Sequence, residues 1–167
     1  MPPPPIPRAA RAGRAADMRY FLDTEFNGFG GALISVGLAA EYGDDDYYVV
    51  LPLPERVVDW VARHVVPYLR SVPPLLHNEL DRVAAAHDIA NYLRADRDPV
   101  IVADWPEDIA LFCRLLMIAE TDVVDLPGLR FEYLRTPGFS TARNSKVPHN
   151  ALHDARALRD FVLSSEA

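Results

Sequence analysis

Cysteine is almost missing from this 167-residue chain. Cys113 stands alone, which excludes an intrachain disulfide and a cysteine-based zinc site and makes a reducing cytoplasm the expected setting. Long hydrophobic runs are missing too. The longest, "IALFCRLLMIA", is broken by Arg114 and too short to span a bilayer, and no apolar segment follows the N-terminus as a signal peptide requires. A soluble protein with no membrane partner is expected. Positive charge is also scarce: 17 Lys and Arg stand against 24 Asp and Glu, a net charge of −7. That argues against a protein that coats nucleic acid through many phosphate contacts. It leaves room for an enzyme that engages a few nucleotides at one end, above all if some of the acids hold metal ions.

Half of the residues are hydrophobic, which suits one compact domain with a sizeable core. The opening "MPPPPIPRAARAGRAAD" is rich in Pro, Ala and Arg without a hydrophobic period, so residues 1–17 are expected to be a disordered tail ahead of a single domain over residues 18–167. Met18 is an alternative start. The tail carries Arg8, Arg11 and Arg14 against Asp17, so the acidic excess lies entirely on the domain.

Three strands are expected first, in "MRYFLDTEF", "ALISVGLAAEYG" and the end of "DDDYYVVLPLP", with turns at "NGFGG" and at the acids between them. Short connections make them an antiparallel meander. Helices are then expected in "PERVVDWVARHVVPYL", with Val57, Val58, Val61 and Val65 inward and Pro67 ending it, and in "ELDRVAAAHDIANYLRA", with Val83, Ala86, His87, Ala90 and Leu93 on one face. "PVIVADW" reads as a buried parallel strand, "EDIALFCRLLMIAE" as a helix, and "HNALHDARALRDFVL" as a final amphipathic helix. The expected class is α/β, a mixed central sheet of an antiparallel three-strand meander plus a parallel strand, flanked by helices.

On the first strand Asp23 and Glu25 share one face, because successive side chains alternate. Paired like charges cost stability unless a cation, a proton or water compensates them, and a solvated strand end is one way to meet that cost. Asp104 and Asp108 fall at a strand-to-helix junction, where α/β sheets build sites, although Asp108 also suits the positive end of a helix dipole. His149 and Asp154 lie at the start of the last helix and can reach the same cleft.

In their order and context, Asp23-Thr24-Glu25, Asp108 followed by "IALF", and His149 with Asp154 in "HNALHDA" resemble the three motifs of the DEDDh 3'-5' exonucleases. The small single-domain bacterial exoribonucleases are the most similar. The resemblance runs from Met18 to about Val162. It implies a ribonuclease H-like exonuclease fold and two divalent ions, Mg²⁺ or Mn²⁺, with Asp23 bridging them and Glu25, Asp108 and Asp154 completing their shells. An all-carboxylate set suits such oxygen-seeking cations. His149 would be the general base, and the substrate the 3' end of single-stranded or overhanging RNA. A DNA exonuclease of the same fold and an inactive module that binds a nucleic-acid end are the alternatives, and a homodimer is plausible for such relatives. The second motif departs from the family in carrying Asp104 where Asn is usual, which makes Asp104 a rival ligand to Asp108.

Phe26, Asn27 and Phe29 follow the first motif and are candidates for contact with the terminal nucleotide, the aromatics by stacking or else simply packed. Arg143 and Lys146 precede His149 and are candidates for phosphate contact, or solvated charges. His149 and His153 stand at i, i+4 as in zinc proteases, but Asn150 occupies the place of the glutamate that such a motif needs.

Overall fold

The computed structural model describes residues 18–126 and 128–167, so the tail expected over 1–17 lies outside the described residues. In chain order it contains β1 (Arg19–Phe26), β2 (Leu33–Ala40), β3 (Tyr47–Val50), α1 (Asp59–His64), a 3-10 turn (Val66–Tyr68) and α2 (Arg82–Leu93). There follow β4 (Val100–Ala103), α3 (Pro106–Leu115), β5 (Met117–Ala119), β6 (Asp122–Val123), β7 (Arg130–Tyr133), α4 (Thr141–Asn144) and α5 (Ala151–Glu166). The class is α/β. Five strands form a mixed sheet in the order β3-β2-β1-β4-β7, antiparallel through the meander and parallel from β1 to β4 to β7.

The apolar run Tyr20-Phe21-Leu22 places β1 at the centre, buried on both faces. Tyr20 and Leu22 pack with Ala86, Ile89 and Leu93 of α2 and Phe112 and Leu115 of α3. Phe21 faces the other way, against Ala155, Leu158 and Val162 of α5. Further along that face, Val61 and Val65 join Ala151 and Leu152 over Ile34, Tyr48 and Val50. Arg19 bonds both Glu41 and Glu166, which ties the far end of α5 to the start of β1.

The near end of α5 is fixed by a glycine. A Cβ at Gly37 would sit 2.3 Å from the Ala151 carbonyl oxygen and 2.6 Å from the Leu152 nitrogen, so the first turn of α5 rests directly on the β2 backbone. Gly37 in turn pairs with Asp23 across the sheet. Gly37→Ala is therefore expected to force α5 off the sheet and to cost about 3 kcal/mol or more, at the upper end for overpacked cores. Urea unfolding checks it, and a loss under 1 kcal/mol would show that α5 can shift freely.

Several expectations need correction. The helix expected through Glu120 ends at Leu115, and Met117–Ala119 instead pairs antiparallel with Asp122–Val123 in a small separate ribbon. A second parallel strand, β7, was not expected: its four residues are mostly exposed, so no apolar period marks it. On α2, Val83 and His87 face solvent, because the buried stripe is set by Ala85, Ala86, Ile89, Ala90 and Leu93, one residue around the helix from the expected face. The helix expected from Pro54 starts only at Asp59, leaving Val58 exposed, and it does end before Pro67. No helix of the described residues is long and apolar enough to cross a membrane.

Candidate active site

Because β1 and β4 run parallel, their C-terminal ends meet at one edge of the sheet. Asp23 and Glu25 lie at the end of β1, on the face that α5 covers, and a register irregularity follows directly between Glu25 and Phe26. Such bulges re-aim side chains beside sites. Asp104 is the first residue after β4, and Asp108 sits in the first turn of α3, with Pro106 opening the helix. Asp108 is buried and accepts a hydrogen bond from the Thr24 hydroxyl at 2.5 Å. Asp104 is half-buried and accepts from the Thr136 hydroxyl at 3.0 Å.

The third part comes from the turn into α5. His149 has φ of 67°, and it is the one non-glycine residue with positive φ among those described. Its backbone N–H donates to Asp154 Oδ2 at 3.0 Å. Asn150 then caps the helix, accepting from the Leu152 and His153 N–H groups. One donor atom each from Glu25, His149 and Asp154 lie within 4.8 Å of one another.

The electrostatics show what this cluster lacks. Burial first, then the charges of Asp108, Asp154 and Glu25, push Asp23 well above the usual carboxylate range. Burial, followed by Asp154 and Asp108, raises Glu25 to about 9. Burial raises Asp108 to about 7 against the opposing Thr24 bond, and raises Asp154 to about 6. Asp104 is raised by burial, with Thr136 working the other way. Asp23 Oδ2 and Asp154 Oδ1 are buried with no hydrogen-bond partner. Carboxylates held together in this way call for protons or cations. Burial and the nearby His64 lower His149, so its imidazole favours the neutral form.

Glu25, His149 and Asp154 are thus brought within reach of one another, Asp23 feels the charges of Asp108, Asp154, Glu25 and Asp104, and Asp108 and Asp104 are held by Thr24 and Thr136. The remaining candidates are scattered. Phe29 is 99% exposed at the tip of the β1–β2 loop, which is pinned to α3 where the Gly30 N–H meets Glu107 at 3.0 Å. Phe26 is half-buried. The Asn27 amide is taken up in structure, donating to the Arg56 carbonyl at 2.7 Å and accepting from the Val58 N–H at 2.9 Å. Arg143 is exposed on α4 and donates to the Gly138 carbonyl. Lys146 lines a polar cavity of about 400 Å³ with His153 and Arg156, and none of the clustered acids borders it. His153 contacts the Ser71 carbonyl at 2.7 Å, in a neighbouring loop.

Sequence reasoning missed Trp60. Its ring meets His149 nearly edge-on, with centroids 4.9 Å apart, and its other neighbour is His64 at the same distance. No motif marks it, and half of it is exposed at the site.

No protein-family model matches the chain. Over 82 residues it is 42% identical to proteins named 3'-5' exoribonuclease from two strains of Mycobacterium tuberculosis, a stretch covering 47% of this chain and 48% of each relative. The likeness is to exoribonucleases. The chain spans about half the length of these curated relatives.

Proposed function

We propose that this chain is a 3'-5' exoribonuclease of the DEDDh kind, built on a ribonuclease H-like fold. The observation that carries the reading is the cluster of Asp23, Glu25, Asp108 and Asp154, with two buried carboxylate oxygens left unpartnered beside a histidine that favours its neutral form. An all-oxygen donor set of this kind fits Mg²⁺ or Mn²⁺. When bound, two such ions neutralise charge on the phosphoryl oxygens and acidify water. Asp23, Glu25, Asp108 and Asp154 would hold them.

The chain's own groups do the rest. A neutral His149 takes the proton of the attacking water on a ring nitrogen, as a general base must. Asp154 fixes where that ring starts from, through its bond to the His149 N–H. Phe29 and Trp60 offer apolar faces for the terminal bases, and stacking of this kind tolerates any base. Arg143, exposed on α4, is a candidate cation for contact with a phosphate.

The test is degradation of a 5'-labelled single-stranded RNA, with matched DNA alongside, in Mg²⁺, in Mn²⁺ and in excess chelator. The expected result is a cation-dependent ladder shortening from the 3' end on RNA, abolished in Asp108→Ala. His149→Ala is expected to lose nearly all turnover with unchanged circular dichroism. Faster loss of the DNA would make it a DNA exonuclease, and binding without cleavage would make it an end-binding module.

A further inference from the structure

We propose that Asn150 is a positioning residue that holds His149 over the carboxylates by tying the first turn of α5 to the segment that follows α1. The assignment rests on the nuclease reading of the site. Asn150 is fully buried, and all of its side-chain capacity on one end goes to the helix: Oδ1 accepts from the Leu152 N–H at 3.1 Å and the His153 N–H at 3.3 Å. On the other end, Nδ2 donates to the Tyr68 carbonyl at 2.9 Å and to the Tyr48 hydroxyl at 3.3 Å. Two N–H groups on one side and a carbonyl on the other leave the amide one orientation.

Capping alone does not call for asparagine. Ser, Thr and Asp cap equally well, but none of them also donates two hydrogen bonds. The donated pair reaches Tyr68 at the end of the 3-10 turn, and Tyr48 in turn donates to the Leu69 carbonyl at 2.8 Å. That segment continues directly from α1, which carries Trp60 against the His149 ring. One amide therefore joins the helix that bears Asp154 to the element that packs on the imidazole. His149 needs such a clamp, because a left-handed backbone is unfavourable for a residue with a Cβ and persists only where its surroundings fix it.

Two variants of the full chain separate positioning from capping. Asn150→Ser keeps a capping oxygen and loses the donated pair, while Tyr48→Phe removes one acceptor of Asn150, together with the bond to the Leu69 carbonyl, and leaves the cap of α5 in place. The readouts are the proton NMR shifts of the His149 ring, which the Trp60 ring displaces, steady-state hydrolysis of a short RNA in Mg²⁺, and thermal melting. In Asn150→Ser the His149 ring shifts are expected to move toward those of free imidazole. Its kcat is expected to fall on the order of tenfold to a hundredfold with KM within about twofold, as for a misplaced catalytic group. Tyr48→Phe should move both in the same direction by less. Unmoved ring shifts with unchanged kcat in Asn150→Ser would overturn the proposal, as would losses that follow only the fraction unfolded. If the wild type cleaves no RNA, the nuclease reading fails, and the ring shifts alone decide the role of Asn150.

Discussion

Asp23→Asn is expected to melt at a higher temperature than the wild type in the presence of chelator and to hydrolyse RNA on the order of a thousandfold more slowly. Asp23 is pushed upward first by burial and then by four surrounding carboxylates, and its Oδ2 has no partner. The amide is nearly isosteric and carries no charge, so it removes the repulsion and the desolvation together. A gain of about 1–3 kcal/mol corresponds to roughly 2–4 °C per kcal/mol in a chain of this length. The gain should grow with pH, since the native carboxyl is held protonated at low pH and costs little there. Thermal melts at several pH values, with an RNA assay on the same samples, test both halves. Retained activity would remove Asp23 from the site, and a lower melting temperature would show that its carboxylate is satisfied in the wild type.

The second large effect is a coupling of stability to pH that cations reverse. In the folded, cation-free chain burial first, and then the neighbouring acids, push Asp154, Asp108 and Glu25 up to about 6, 7 and 9, above the ordinary carboxylate range near 4. The folded state therefore holds protons that the unfolded chain has released, and the stability they lend is complete below pH 4 and lost as pH rises through those values. Melting temperature in chelator should fall steadily from pH 5 to pH 9. His149, lowered by burial, acts in the opposite sense only at the acid end. Mg²⁺ or Mn²⁺ competes with the same protons, so the cation-induced rise in melting temperature should widen with pH, and cation binding near pH 7 should release protons. Calorimetry in buffers of different ionisation enthalpy measures that release. A cation effect of equal size at pH 5 and pH 9 would contradict the coupling.

The parts of this molecule most legible in its sequence are those with strong local chemistry. β4 announces itself as an unbroken apolar run and β1 by Tyr20-Phe21-Leu22, the meander by its Gly and Asp turns, and α5 by its apolar stripe. Asp23, Glu25, Asp108, His149 and Asp154 could be picked out because each falls at a strand end or helix start, in an order that resembles known motifs. What failed had no pattern to read. β7 is exposed and short, and the "LLMIAE" run is as apolar as a helix face, although Val124 closes a ribbon by donating to the Leu116 carbonyl at 2.9 Å. On α2, alanines are too weakly hydrophobic to fix the phase of the stripe, so Val83 and His87 were placed inward when Ala85 and Ile89 are. Trp60 and the two hydrogen bonds that Asn150 donates to Tyr48 and Tyr68 are tertiary facts, set by residues far apart along the chain.

The close seat of α5 on Gly37 also bears on the order in which the molecule assembles. Asp23 and Glu25 sit on an early strand, and until the last helix docks their carboxylates face water and ionise like any others. We expect the electrostatic penalty of the site to be incurred as α5 docks, since its first turn closes over the carboxylates. Contacts made only after the transition state govern unfolding more than folding. Divalent cations should then leave the folding rate nearly unchanged and slow unfolding, acting as a latch on the final helix.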